Sequence, residues 1–399
     1  MGQFETALSW TVGFYALALL GFWISDFWKP KGMATLASWI ARGGWVAQTV
    51  ALAIRWHEKG AFHPPWIQAS EILFFSAWAL VGAHLFTEIK YKARWAGTLV
   101  FPAALAVIAT AYFLPHAWHS GSVSVAPELH SKWIFVHVAL GCLAYGFFAV
   151  SVFLSIFYLV KDEVTTDSML AGLSALGLLL LFKMGIGRQR EMLFPTLAFG
   201  AFAMHFLFYG VEAVMAGVFP RSSRISRRIV KWTLIADRSF YGFGIFAALF
   251  LVATVTSQGA SKDHPYEIGA LFFLSIVGLF GAGLLRWRPS LEEQLPSLDK
   301  LDRWCYQAAL VGFMLLTLTL VSGAIWAYFA WGRYWGWDPK ETWTLVTWVF
   351  YAIYLHLRVS SEWSGRSMAV LSLMGLFVVG FTFLGTNLLL PGLHVYAIR

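Results

Sequence analysis

The sequence predicts an all-α protein that crosses a membrane many times. Of its 399 residues, 59% are hydrophobic and only 13% are charged, whereas soluble domains carry about 25% charged residues. Apolar runs of about 20 residues are long enough to span a bilayer as helices. Short polar connections separate about twelve such runs, and we therefore expect a polytopic transmembrane helix bundle. In chain order, the predicted spans are 6–25, 34–55, 70–89, 96–115, 132–160, 168–184, 195–219, 239–258, 267–285, 304–330, 342–358 and 367–390.

The distribution of basic residues predicts the orientation of these spans. Cytoplasmic loops of membrane proteins carry an excess of Lys and Arg. One set of alternate loops holds 18 of the 29 Lys and Arg residues and the opposite set holds 10, while Arg42 lies inside the second span. The richer set therefore faces the cytoplasm. Both termini, and the loop that follows residue 330, are predicted to lie on the outer, periplasmic or lumenal, side.

The net charge of +8 does not require a nucleic-acid partner. Most of the excess lies on the predicted cytoplasmic rim, where Lys and Arg meet anionic lipid. We expect membrane lipid as the partner of this rim and no nucleic acid. Cys142 and Cys305 lie inside or at the edge of apolar spans without CxxC spacing, so the sequence predicts neither a disulfide framework nor a zinc site.

One loop carries an unusual set of side chains. Residues 331–343, WGRYWGWDPKETW, hold four tryptophans and a tyrosine around Asp338, Pro339, Lys340 and Glu341; we call this segment the Trp-rich loop. Tryptophans at a membrane surface can form an interfacial aromatic belt, but a belt leaves the clustered polar residues unexplained. The two acids stand at a predicted helix start beside a proline, where carboxylates favour the helix dipole.

The helix rise of about 1.5 Å per residue gives the histidines a depth. His137 lies about one turn into the fifth span and His394 just beyond the last, so both are level with the Trp-rich loop. His356 lies about 21 Å deeper, toward the cytoplasm, and His84 has a similar depth. An ionisable group at membrane depth indicates a functional site. A lone histidine can equally bond to a neighbouring helix, which is the simpler interpretation of His84.

Two outer histidines beside a broad aromatic surface meet the needs of a bis-imidazole haem site. Imidazole is a standard axial ligand of haem iron, and flat rings suit a flat apolar macrocycle. Arg333 and Lys340 are candidates to pair with its propionates. Asp338 and Glu341 either orient the haem or cap the helix that follows.

The stretch WAYFAWGRYWGWDPKETWTLVTWVFYAIYLHLR, residues 326–358, resembles the CcsA (ResC) cytochrome c biogenesis proteins, the System II members of the WWD-domain haem-handling family. SKWIFVHV at the fifth span, LDRWCYQAALVGFMLLTL before the loop and GTNLLLPGLHVY at the C-terminus extend the resemblance. WDPKETW followed by LHLR favours this branch, because signatures of the CcmF type usually read WDPVEN.

The resemblance implies roles for particular residues. In the family, the WWD segment presents haem on the outer face between two axial histidines, and a histidine in the next helix ligates haem inside the membrane. The second ligand of that inner site comes from a partner subunit, CcsB (ResB), with His84 as the alternative here. The implied haem-binding residues are His137, His394, His356, Trp331, Trp335, Trp337, Asp338 and Arg333, with the three histidines as axial ligands of the iron.

The function implied by the resemblance is that of a cytochrome c synthase (haem lyase) component. It would carry haem b across the bacterial inner membrane, or a thylakoid membrane, and present it for thioether attachment to the CxxCH segment of apocytochrome c. The lack of CxxC in this chain fits a client that supplies both thiols. The alternatives are a haem exporter or chaperone without ligase activity, a CcmF- or CcmC-type protein, and a quinone-linked respiratory subunit, in which His84 and His356 would be the facing pair.

The same resemblance predicts three parts along the chain. Residues 1–167 are the N-terminal transmembrane helices with the first outer histidine, and residues 286–399 are the WWD haem-handling core. Residues 168–285 are extra transmembrane helices of unknown role, where the family commonly has a shorter connection. The last motif reads His-Val-Tyr where His-Ser-Tyr is more usual, which keeps the histidine and removes a hydroxyl.

Overall fold

The structure is a computed structural model that describes residues 2–60, 64–66, 68–113, 131–162, 293, 295–360, 363–386, 390 and 392–394. Within these ranges the chain forms α-helices joined by short turns. A 3-10 turn, Arg94–Ala96, precedes the fourth helix, and a π-helical turn, Phe381–Gly385, follows the last one. The helices are α1 (Gln3–Trp28), α2 (Met33–Lys59), α3 (Ala69–Tyr91), α4 (Gly97–Phe113), α5 (Lys132–Lys161), α6 (Leu298–Trp331), α7 (Pro339–Ser360) and α8 (Arg366–Gly380).

The predicted all-α membrane class is confirmed. In the described ranges, six segments are long and apolar enough to cross a membrane; they correspond to α1, α3, α4, α5, α6 and α8. The two other helices, α2 and α7, also coincide with predicted spans. Four predicted spans, 168–184, 195–219, 239–258 and 267–285, lie outside the described residues. The count of twelve and the outer placement of both termini stay predictions.

The chain divides into two compact units. Met1–Tyr158 and Ser290–Arg399 form one unit, and Leu159–Pro289 form the other. All contacts described below are internal to the first unit. The three-part division expected from the sequence stays a prediction.

The helices α1 and α2 approach closely because glycines lie where they meet. A Cβ atom on Gly21 would come within 2.9 Å of Cβ of Ala37, and one on Gly44 within 2.6 Å of the Tyr15 ring. Small residues allow helices in lipid to gain packing contacts in this way. Nearby, the Tyr15 hydroxyl donates to Oε1 of Gln48 at 2.6 Å, and Nε2 of Gln48 donates to the Phe74 carbonyl at 2.8 Å. Polar bonds thus connect α1, α2 and α3.

The helix α5 contacts α3, α6, α7 and α8. Gly146 of α5 lies against α3, since a Cβ atom there would stand 2.9 Å from the Ala79 carbonyl oxygen. Phe148 stacks on Tyr351 of α7 with ring centroids 3.6 Å apart, and it also fills the space over Gly312 of α6. The Ser151 hydroxyl donates to the Cys305 carbonyl of α6 at 2.9 Å and lies 3.4 Å from the Ser372 hydroxyl of α8. This central position fixes the helix that carries His137.

The helix α7 has two distinct faces. Its buried residues recur at spacings of three and four, as expected for one face of a helix: Thr344, Thr347, Tyr351 and Tyr354. The other face is exposed in the described part of the chain and carries Val346, Val349, Ile353 and His356. An apolar exposed stripe suits contact with lipid or with another transmembrane helix.

Candidate functional site

The Trp-rich loop connects two well-defined helix ends. The helix α6 ends before Gly332, whose φ of +71° is in the left-handed region that favours glycine. The helix α7 begins at Pro339, a residue suited to the first helical position. Oδ2 of Asp338 accepts the Lys340 N–H at 3.1 Å, and Oε2 of Glu341 accepts the Asp338 N–H at 3.2 Å. The two acids therefore cap the helix, as one of the two sequence interpretations predicted.

Asp338 also forms hydrogen bonds to the C-terminal segment. Its Oδ2 lies 2.6 Å from Nδ1 of His394, and its Oδ1 accepts the Leu393 N–H at 2.5 Å. Gly392 permits this approach, since a Cβ atom there would stand 2.6 Å from Oδ1 of Asp338. One carboxylate thus joins the start of α7 to His394, 56 residues further along the chain.

The charge of Asp338 fixes the tautomer of His394. Burial acts to raise the pKa of Asp338, but the hydrogen bonds from His394, from the Leu393 N–H and from the Lys340 N–H outweigh it and lower the pKa below 3.8. The carboxylate is consequently ionised at neutral pH and can only accept. Nδ1 of His394 must therefore donate, and in the neutral ring Nε2 is then the nitrogen that carries the lone pair.

His137 has the same tautomer for a different reason. Its Nδ1 lies 2.9 Å from the Thr319 carbonyl oxygen of α6, and a carbonyl oxygen can only accept. Nδ1 carries the hydrogen and Nε2 carries the lone pair. The ring lies over Gly323 of α6, where a Cβ atom would come within 2.6 Å of the imidazole. The missing side chain at Gly323 provides the space for this ring.

A buried tryptophan brings the two histidines together. Trp326 of α6 is 1% exposed; His137 is nearly parallel to it, with centroids 5.9 Å apart and an interplanar angle of 16°. His394 contacts the same indole at 5.6 Å and 61°. Trp331 contacts both Trp326, at 4.7 Å, and His394, at 5.3 Å. Two imidazoles from distant parts of the sequence therefore share one aromatic neighbour.

Four residues of this arrangement were missed by the sequence prediction: Thr319, Gly323, Trp326 and Gly392. Three of them stand at spacings of four and three on α6, which places them on one helix face. Gly323 and Trp326, three residues apart and level with His137, could have predicted that this face of α6 packs against the His137 ring. The part played by Gly392 depends on where the C-terminal segment returns, for which the local sequence offers no signal.

Two other predicted residues of the loop, Arg333 and Trp337, are exposed. Trp337 is 71% exposed and has a φ of +55°, a conformation that is strained for a bulky side chain. Its ring meets Trp335 edge to face at 5.8 Å and 88°. The Arg333 guanidinium folds over the Gly336 backbone, where a Cβ atom would stand 2.7 Å from Nε. Of these three side chains, Arg333 and Trp337 are exposed and Trp335 is half-buried, whereas Trp331 and Asp338 contact His394 directly.

The two deeper histidines lie in opposite environments. His356 is exposed on the outward stripe of α7, with Nδ1 3.2 Å from the Ser360 hydroxyl. His84 is 0% exposed and lies edge to face with Phe22 of α1 and Phe101 of α4. His84 is enclosed by the helices and His356 is exposed, so the two rings cannot bind the same ligand unless the helices repack. The structure therefore does not bring this pair together.

The surroundings of His84 form a polar network inside the bundle. Nε2 of His84 is 3.7 Å from Oε2 of Glu88, one turn along α3. Oε1 of Glu88 accepts hydrogen bonds from the Ser38 hydroxyl and, at 2.9 Å, from Nη2 of Arg42. His84 thus packs inside the bundle, but its two ring nitrogens form no hydrogen bond with a described residue, so the predicted bond to a neighbouring helix is not seen.

Comparison with known proteins gives one consistent result. The family described as Cytochrome C assembly protein matches residues 66–394. The Cytochrome c biogenesis protein CcsA of Picosynechococcus sp. is 30% identical over 366 residues, which cover 92% of this chain and 88% of the relative. The protein of the same name from Pyropia yezoensis is 30% identical over 394 residues, 98% of this chain and 97% of its own length. That from Synechococcus elongatus is 31% identical over 346 residues, 86% and 82% of the two chains.

Proposed function

This chain belongs to the cytochrome c assembly protein family, and from that premise we propose that it carries haem across the membrane and presents it outside for attachment to apocytochrome c. Membership gives this multi-pass membrane protein a role in cytochrome c maturation, a process that involves haem. The finer assignment, to the haem-handling subunit of a System II synthase acting with a CcsB (ResB) partner, is our proposal.

The arrangement around Trp326 is the observation that carries the proposal. Ligating histidines in metal sites generally donate their second ring N–H to a carboxylate or a backbone carbonyl, which fixes the ring and raises its basicity. His394 has the carboxylate of Asp338 in that position, and His137 has the Thr319 carbonyl. With Nδ1 bonded in this way, both histidines would bind one iron through Nε2. A pair of neutral imidazoles is an established axial set for haem.

The Trp-rich loop would hold the macrocycle beside this pair. Trp331 contacts His394, while Arg333 and Trp337 form the exposed edge beside the half-buried Trp335. The indole rings supply apolar area for the porphyrin face, and the guanidinium can pair with a propionate. An exposed edge is what the reaction needs, because the client has to reach the vinyl groups.

The chemical step needs positioning more than acid or base groups from this chain. Each thiol of the CxxCH segment adds to a vinyl group, so that one S–C bond forms and the thiol hydrogen moves to the other vinyl carbon. No oxidant or reductant is consumed. Cys142 and Cys305 are buried here, and the reacting thiols come from the client. A fixed haem edge would make the addition nearly intramolecular, which can contribute several kcal/mol.

His356 would be the axial ligand of the inner haem site. It lies on the exposed stripe of α7 in the described part of the chain, where a histidine from a partner subunit can approach it. This placement supports a second ligand from the partner over one from the enclosed His84.

The function is tested by co-expressing the chain with a CcsB-type partner and an apocytochrome c in cells that lack their own maturation system. We expect a cytochrome with covalently attached haem, and none with either subunit alone. If the two subunits purify with haem but yield only non-covalent cytochrome, the protein is a haem exporter or chaperone and the ligase assignment is wrong.

A further inference from the structure

A cavity distinct from the haem-presenting site lies where α3 ends and α6 begins. Its volume is about 430 Å³. Three cations and three aromatic rings line most of it: Lys92, Lys300, Arg303, Tyr91, Trp95 and Trp304. We call it the basic aromatic pocket. None of the described residues that line it is a carboxylate, so these residues give the pocket a positive charge.

Two cations at the same ends of the helices are paired with acids, whereas the cations of the pocket form no ion pair with a described residue. Arg358 binds Asp302 at 2.5 Å, and Lys29 binds Glu293 at 2.5 Å. In the ranges that the structure describes, Lys92, Lys300 and Arg303 form no salt bridge. Three like charges around one cavity repel each other, and an anion there would remove that cost.

The aromatic walls of the pocket are held in place before any ligand arrives. The Tyr91 hydroxyl donates to Oε1 of Gln307 at 2.5 Å. The Tyr91 ring stacks on Trp304 with centroids 4.9 Å apart and an angle of 21°. Trp95 packs edge to face on Phe157 at 4.7 Å. A preorganised wall lowers the entropy cost of binding.

The position of the pocket indicates the kind of anion. It lies at the ends of two membrane-spanning helices, the level at which phospholipid headgroups and interfacial Trp and Tyr rings meet. Its cations also belong to the loops that the charge bias assigns to the cytoplasmic leaflet, and basic pockets between helices on that side bind lipid headgroups. Haem is a poor alternative, because none of the described lining residues is a His, Cys or Met that could bind the iron, and the Tyr91 hydroxyl is already bonded to Gln307.

We propose that the basic aromatic pocket binds the headgroup of an anionic phospholipid, with its phosphate against Lys300, Arg303 and Lys92 and its glycerol portion against Trp304 and Trp95. This site is independent of the haem-presenting loop. It gives the protein a dependence on the lipid composition of its membrane.

The test uses the full chain in nanodiscs of phosphatidylcholine with and without phosphatidylglycerol, and counts retained lipids by native mass spectrometry. The pocket variant is Lys300→Gln with Arg303→Gln. The control, Lys29→Gln with Lys31→Gln, removes the same charge from the same rim outside the pocket. Because each Lys or Arg near the surface contributes about 1 kcal/mol to anionic lipid binding, retained phosphatidylglycerol should fall about fivefold for each pocket cation removed. The control should retain it.

Additional measurements distinguish phospholipid binding from binding of free phosphate or haem. Inorganic phosphate added to phosphatidylcholine nanodiscs should leave thermal unfolding unchanged, whereas phosphatidylglycerol should raise the midpoint of the wild type and not of the pocket variant. Lys92→Gln, which lies outside α6, repeats the test if the paired substitution disturbs folding. Equal lipid retention in pocket and control variants would overturn the proposal, as would stabilisation by free phosphate alone or binding of added haem at the pocket.

Discussion

Asp338 is the residue on which the outer site most depends. It caps α7 and also orients His394, so the order of the helix start is transmitted to a histidine near the C-terminus. Its lowered pKa means that this contribution to stability is fully present above pH 3.8 and is lost only as the pH falls through the still lower folded value. The link is therefore complete at every physiological pH.

Replacing Asp338 with Asn should weaken haem binding without unfolding the chain. The amide keeps the shape of the side chain but loses the charge, and charge-assisted hydrogen bonds are about twice as strong as neutral ones. Loss of such a partner typically lowers metal affinity about 10- to 100-fold. Haem titration of the apo chain measures the effect. Glu341→Gln is the control, because Glu341 accepts loop amides; an equal loss in both variants would show that Asp338 acts through the loop alone.

Gly323 should be as important for His137 as Asp338 is for His394. In Gly323→Ala, the new methyl group would stand 2.6 Å from the imidazole, so the ring has to move off the position set by Thr319. We expect reduced haem retention with helical content unchanged in circular dichroism. Gly141→Ala on α5 is the matched control, since its Cβ atom would make only an ordinary 3.4 Å contact with Thr319. Normal haem retention in Gly323→Ala would show that the space over Gly323 does not position His137.

At the scale of the elements, the Trp-rich loop combines a rigid base with a strained, exposed edge. Trp331, Asp338 and Glu341 are fixed by ring contacts and by amides at the two helix ends. Trp337 instead holds a large apolar ring outward from a left-handed backbone. Strain of this kind costs about 1–3 kcal/mol and is concentrated at functional sites.

Substituting Trp337 with Gly should separate stability from function. Glycine adopts the left-handed conformation without strain, so the thermal midpoint should stay level or rise, while haem retention falls because the exposed ring is gone. Trp10→Leu removes another exposed indole, 62% accessible on α1, and should leave haem retention unchanged. A Trp337→Gly protein that loses stability but keeps its haem would assign a structural role to this side chain.

Local and long-range features of these elements differed in how well the sequence predicted them. Apolar runs and Pro339 located the helices and the loop, because bilayer thickness and backbone geometry act over a few residues. The depth count also put His137 and His394 on one level. The Asp338–His394 bond and the shared contact with Trp326 join segments more than 50 residues apart. No local pattern encodes which partners such segments will find.

For the whole molecule, we propose that the histidines divide between an assembled outer site and an open inner one. His137 and His394 each have Nδ1 bonded, and they share Trp326. His356, which the sequence predicts to lie deeper in the membrane, is exposed in the described part of the chain. A sequence count of depth paired His356 with His84 as an alternative, but depth alone does not report on which side of a helix a residue lies. The open inner site is the reason to expect a partner subunit.

We propose that His137 and His394 bind one haem through Nε2. The most direct test of this ligation is the absorption spectrum of the purified chain as His137→Gly and as His394→Gly, each with and without added imidazole, beside the exposed-residue control His57→Gly. We expect each of the first two variants to lose the bis-imidazole spectrum and to regain it when imidazole fills the vacated position, while the control resembles the wild type. An unchanged spectrum in both variants would show that neither histidine binds the haem iron.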